Sequence, residues 1–210
     1  MREGDLVTCA GLAVTTLQPL AGEDWSRRAG ELDWSCRRTI DHMIDTMLFY
    51  GSYVATRARE RRQPLRDGQE SASIPDLIAA IDASARMLDL ICTASPPPAR
   101  AFHPSGLSDA DGFRAMGCSE LLTHTWDIAC GFGVPFTAPF DLCDRIIDRV
   151  FPWAPDADEH ADRWQVVLWA CGRIALPTRE RLDELWWWHS APITEWDGTR
   201  TQRTTPPAWS

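Results

Sequence analysis

The chain has 210 residues, 44% of them apolar and 24% charged, with a formal net charge of -9. That length fills one hydrophobic core without requiring a second, and the acidic balance argues against a nucleic-acid partner, which needs a basic face. No stretch approaches about 18 consecutive apolar residues, which argues against a membrane partner, and Met1-Arg-Glu-Gly-Asp5 lacks the layout of a signal peptide, so the expected location is cytoplasmic.

A first helix is predicted over residues 5–18, with Asp5 as N-cap and Leu6, Cys9, Ala10, Ala13 and Leu17 at helical spacing before Pro19 and Gly22. The clearest helix runs from about Cys36 to Arg62, with Ile40, Met43, Ile44, Met47, Leu48, Gly51, Val54 and Ala55 as its core stripe. His42, Thr46, Phe49 and Tyr53 fall on a second face that is neither plainly polar nor plainly apolar, as a pocket wall would be. Arg57, Arg59, Arg61 and Arg62 crowd the helix end, where cations suit the macrodipole, and read as a solvated terminus. A third helix starts at Ser73, with Pro75 in its first turn, and Ser95-Pro-Pro-Pro98 stops it. Residues 95–112 read as a loop.

Further helices are predicted over about 113–130, ending at Gly131 or Gly133, over about 138–151 and over about 159–174. Beyond Pro177 the pattern is open: Leu185-Trp-Trp-Trp-His189 and the tail through Trp196 fit a short helix or extended chain equally well. No strand with clean alternation stands out. The expected fold is all-α, a four-helix bundle over residues 1–177 with a Trp-rich C-terminal appendage, 178–210, packed on it.

All 21 basic residues are Arg, which excludes Schiff-base or Walker-type lysine chemistry in this chain. The seven Cys include no Cys-x-x-Cys pair, so each is expected to be a small buried hydrophobe and not a zinc or disulfide partner. There are 11 Trp against two Tyr, and buried indole N–H groups need acceptors.

Glu120 and His124 stand one helical turn apart, with Asp127 continuing their face. Three polar groups on an inward face are unfavourable unless something satisfies them, and a metal ion would. Carboxylate and imidazole suit zinc, nickel or iron. Glu-x-x-x-His alone is equally the pattern of an ion pair. His42 adds to it from another helix, and metal sites in bundles are assembled from facing helices. Two His and one Glu leave open coordination positions, the catalytic arrangement.

At these residues a resemblance appears. Leu32-Asp-Trp-Ser-Cys36 with Thr39, His42 and Met43, then Glu120-Leu-Leu-Thr-His124-Thr-Trp-Asp127 with Gly131-Phe-Gly133, resemble the two metal motifs of the mycothiol-dependent maleylpyruvate isomerase family, within the DinB/YfiT-like superfamily. Phe151-Pro152 and Leu168-Trp-Ala-Cys-Gly172-Arg173-Ile-Ala-Leu-Pro177 are similar to segments near the end of its single-domain members.

The resemblance implies a four-helix bundle holding a divalent metal, usually zinc, at His42, Glu120 and His124. It implies that Asp127 orients a ligand imidazole or pairs with an Arg. It further implies a thiol co-substrate, mycothiol in many members, whose metal-favoured thiolate attacks a small electrophile. Residues 178–210 are too few for the extra C-terminal domain of the isomerase proper, so a thiol S-transferase or isomerase-like enzyme is expected. The alternatives are a metal-dependent hydrolase or cyclase, or a non-catalytic metal- or ligand-binding protein. Phe49, Tyr53 and Trp126 are candidate pocket walls, and Arg173 is a candidate carboxylate binder or salt-bridge partner. His103 reads as a solvated loop residue, His160 as part of an acidic helix start, and His189 as a cap on the aromatic tail, which is also a candidate homodimer interface.

Overall fold

Residues 1–154 and 162–204 are described by a computed structural model; His160 lies outside them. The described residues form six α-helices: α1 Asp5–Leu17, α2 Cys36–Thr56, α3 Ile74–Ala94, α4 Ala110–Phe132, α5 Phe140–Val150 and α6 Arg163–Ala170. A hairpin of β1 (Ala101–His103) and β2 (Gly106–Ser108) precedes α4. The protein is therefore mostly helical. No helix among the described residues is long and apolar enough to cross a membrane.

Side-chain caps start four of these helices. Ser35, Ser73, Asp109 and Asp162 each accept a hydrogen bond from a first-turn backbone N–H, and Asp162 completes a capping box with Gln165. Helix α1 differs from expectation. Gly4, in the left-handed region at φ 83°, precedes it, and Asp5 is its first helical residue. The Asp5 carboxylate accepts from Arg2 N at 2.7 Å and pairs with Arg145 of α5.

Helices α1 to α4 pack in a ring: α2 lies against α3 and α4, and α1 against the same two. Helix α5 packs on α4, and α6 on α5. Helix α4 is the central element, and every residue from Gly112 to Thr125 is buried. At Gly117 the helices come so close that a Cβ would stand 2.8 Å from Leu6 of α1, with Leu88 of α3 and Met47 of α2 just beyond. Polar residues on α4 therefore have no route to solvent except through what they touch.

Several boundaries differ from expectation for identifiable reasons. Helix α2 ends at Thr56 and not near Arg62, because Arg57 adopts the left-handed cap conformation (φ 50°) and the buried Ala58 turns the chain back to accept from Phe102 N. Arg59, Arg61 and Arg62 lie exposed beyond the helix. The expected loop 95–112 contains the hairpin, whose strands are too short for alternation to show. The tail turns at Leu185 and forms no helix over residues 186–190: His189 N donates to Val150 O, Arg203 N donates to Leu185 O, and Trp186 pairs with Gln202. Six cysteines are buried and Cys130 is exposed. The indoles of Trp25, Trp169 and Trp196 donate to backbone carbonyls, whereas Trp153, Trp164 and Trp188 have no acceptor for Nε1 among the described residues.

His103 is not the solvated loop residue the sequence suggests. It is 3% exposed, on β1, ringed by Tyr50, Phe113 and Trp188. Ser105 N donates to its Nδ1 at 3.1 Å, which places the ring proton on Nε2, 3.4 Å from Tyr50 Oη. Burial pushes its pKa down to about 3, with Glu120 opposing and Arg203 reinforcing that shift. The unfolded chain protonates this imidazole near its ordinary value of about 6.5. The stability it contributes is therefore intact above about pH 6.5 and is lost as pH falls toward 3. Urea unfolding of the wild type and His103→Gln from pH 7 to 4.5 checks this. The wild type should lose up to about 1.4 kcal/mol per pH unit more than the variant, and parallel profiles would contradict it.

Candidate metal centre

The Ser35 cap fixes the start of α2: its Oγ accepts from Arg38 N at 3.1 Å, and its carbonyl accepts from Thr39 Oγ1 at 2.9 Å. His42 lies two turns inside, on the face toward α4. Glu120 and His124 stand one turn apart on that buried helix. Across this helix pair, His42 Nε2 lies 3.3 Å from Glu120 Oε2, and His124 Nε2 lies 3.1 Å from the same oxygen. One ligand atom from each residue falls within 4.8 Å of the others, so the His42–Glu120–His124 group could hold a metal ion.

The donor set fits such an ion chemically. Tetrahedral zinc with bonds of about 2.0–2.1 Å spaces its ligand atoms about 3.3 Å apart, close to the separations around Glu120 Oε2. His124 Nδ1 is engaged by Asp127 Oδ2 at 2.9 Å, which turns Nε2 toward the group. Arg173 holds Asp127 in turn, donating from Nε and a terminal nitrogen at 3.1 and 2.8 Å. Both expectations for Asp127, orienting an imidazole and pairing with an Arg, describe the same carboxylate. Thr46 Oγ1 lies 3.3 Å from His42 Nε2.

Burial opposes charge at each of these groups, and partners outweigh it at all of them except His42. For His124, burial is outweighed by hydrogen bonds to Asp127 and Glu120, which bring the pKa up to about 9. Glu120 is held well below the usual carboxylate range, because both imidazoles overcome its burial. Burial prevails at His42 and lowers it. Asp127 is lowered because Arg173 and His124 outweigh its burial.

The group sits in the wall of a half-open cavity of about 850 Å³. Trp34, from the segment before α2, covers both imidazoles, its ring 4.9 Å from His42 and 6.3 Å from His124, with Arg38 5.1 Å from the Trp34 ring. Trp126 and Arg173 line the cavity, and Trp186, Trp188 and Arg203 of the tail add a wall that periodicity could not reveal. Phe49 and Tyr53 lie outside this wall. Tyr53 is buried against Phe49 and Phe102, and its hydroxyl accepts from Arg62 N. His189 also lies outside, its Nε2 3.4 Å from Pro192 O. Cys171 reaches the cavity, but burial pushes its thiol up to about 12, which makes it a poor nucleophile. The sequence signal for Trp34 is its place one residue before the Ser35 cap, which fixes it over the first turns of α2.

No family model, curated protein or solved structure matches the chain.

One zinc ion per chain is expected on titration of the purified protein, read by atomic emission after desalting. His42→Ala and His124→Ala should abolish tight binding. Asp127→Asn, which keeps the shape but weakens the grip on Nδ1, should cost about 10- to 100-fold in affinity. Unchanged zinc content in both His variants would remove the site.

Proposed function

We propose that this chain is a divalent-metal-dependent S-transferase that joins a low-molecular-weight thiol, of the mycothiol type, to a small electrophile. The observation that carries this reading is the convergence of two Nε2 atoms on one Glu120 oxygen, at 3.1 and 3.3 Å, in the wall of a cavity large enough for two small molecules. A ring of α1–α4, with the candidate ligands on α2 and α4, supports the DinB/YfiT-like, maleylpyruvate isomerase-related assignment. The reading places the enzyme in the cytoplasm, where small thiols are kept reduced.

His42, Glu120 and His124 would hold the ion, zinc first and nickel or iron next. When bound, such an ion supplies a Lewis acid that favours thiolate over thiol near neutral pH. The residues around it set the charge. Glu120 and Asp127 are anionic and Arg173 is cationic, so with His124 neutral these groups would offer one net negative charge to a divalent ion, and the occupied site would carry one net positive charge. An anionic sulfur cancels it. Asp127 and Arg173 lock His124 so that Nε2 keeps its aim during turnover. Trp34 shields the imidazoles from bulk water on one side.

The test combines zinc-loaded protein, mycothiol and monochlorobimane and follows bimane fluorescence. Conjugation should require both zinc and thiol, disappear with EDTA and return with zinc. His124→Ala should lower the rate at least about 100-fold, since the Lewis acid contributes several kcal/mol. Ester hydrolysis that proceeds without thiol would replace this reading with the hydrolase. Thiol binding without turnover across a panel of electrophiles would replace it with a binding protein.

A further inference from the structure

Helix α3 presents an exposed apolar face. Its Leu77, Ile78, Ile81, Ala85 and Leu88 are buried against the bundle. On the opposite side Ala79, Ala83, Met87, Leu90 and Ala94 recur at helical spacing, and all five are exposed, Met87 at 53% and Leu90 at 69%. One edge of this stripe opens on an apolar cleft of about 160 Å³ between α2 and α3, lined by Leu48, Ala55, Met87 and Ile91 and by Leu65, itself 73% exposed. Single exposed apolar side chains need no explanation, but a contiguous strip along about four turns of one helix does. Trp187 and Trp188 of the tail, by contrast, are buried within the chain.

The charges around this face define what fits it. Asp82 and Arg86 lie one turn apart on the other edge of the stripe, paired at 2.8 Å, with side chains 38% and 56% exposed. Helices α2 and α3 run parallel: Arg37 of α2 donates to Ala72 O just ahead of α3, and Gly51 faces Ile91 near the far ends. Exposed charge is divided between those ends. Arg57, Arg59, Arg61 and Arg62, with Glu60 among them, follow the end of α2, whereas Asp67, Glu70 and Asp76 stand where α3 begins. Near the acidic end Arg66 is held by Asp41 and Asp45, and Arg38 faces Trp34.

We infer that this face docks a second copy of the chain, with α3 packed antiparallel on α3 about a two-fold axis that crosses the helix between Asp82 and Arg86. Such an axis brings like edges of the two stripes together. Asp82 of each copy then stands beside Arg86 of the other, and two ion pairs within chains become a ring of four alternating charges. The basic end of one copy lies toward the acidic end of the other. A parallel arrangement would instead set Asp82 against Asp82 and Arg86 against Arg86. Ala79 and Ala83 add little bulk, so the helix axes can approach to about 8 Å. Met87 and Leu90 of each copy then cover the apolar strip of the other. A face of this extent belongs at the small end of specific interfaces, so the expected affinity is micromolar. Neither the ion nor the thiol takes part in it.

Sedimentation equilibrium of the purified full chain, from about 1 to about 200 μM, tests the inference. The wild type should pass from monomer to dimer. Leu90→Glu should weaken the dimer at least about tenfold, with helix content by circular dichroism unchanged. Arg86→Asp and Asp82→Arg should each weaken it as well, because like charges then meet across the axis. An equimolar mixture of those two variants should regain the dimer, since opposite charges meet again. A wild type that stays monomeric throughout would overturn the inference and leave the face to a different protein. So would a dimer unmoved by Leu90→Glu, which would place the contact elsewhere, or a mixture no more associated than its components. Should a charge variant fail to fold, Met87→Glu decides beside Leu90→Glu, and a dimer that survives both substitutions overturns the inference.

Discussion

One carboxylate oxygen organises the centre of this protein. Glu120 Oε2 lies within hydrogen-bonding reach of two imidazoles that belong to different helices, one on α2 and one on α4. Helix α4 is enclosed along most of its length, so a charge on it must be met by protein or ion. Asp127 and Arg173 continue the arrangement outward from His124, alternating sign at each step. A proton on His124 meets the demand for positive charge between Glu120 and Asp127. The His42–Glu120–His124 group could meet it with a divalent cation instead.

The polar half of this arrangement is legible in the amino-acid sequence. The i, i+4 spacing of Glu120 and His124, the position of Asp127 and the placement of His42 off the core stripe of its helix all follow from the helical period. Those patterns give faces, not contacts, which is why they point to Phe49 and Tyr53 as cavity walls: both share the angular sector of His42 but lie two to three turns along α2, where Phe102 covers Tyr53. The ends of elements are harder to read. Arg57 in a left-handed cap has no sequence signal, since that conformation usually calls for Gly or Asn. The hairpin strands have three residues each, below the length at which alternation can be read.

The tail shows the other limit. A run of three Trp has no period, and its role depends on what it packs against. In the structure Trp186, Trp187 and Trp188 lie outside any helix, with His189 N anchored to Val150 O and Leu185 O accepting from Arg203 N. In consequence, the segment after α6 contributes cationic and aromatic side chains to the cavity that the α2 and α4 residues also line. A helical scaffold thus positions the His42–Glu120–His124 group, while an irregular segment lines the cavity in front of it.

The most direct test of this account is zinc K-edge X-ray absorption on the zinc-loaded protein without added thiol. The account predicts a first coordination shell of nitrogen and oxygen only, at about 2.0–2.1 Å, with the outer scattering of two imidazoles. A sulfur shell at about 2.3 Å would place the ion on cysteines and contradict it.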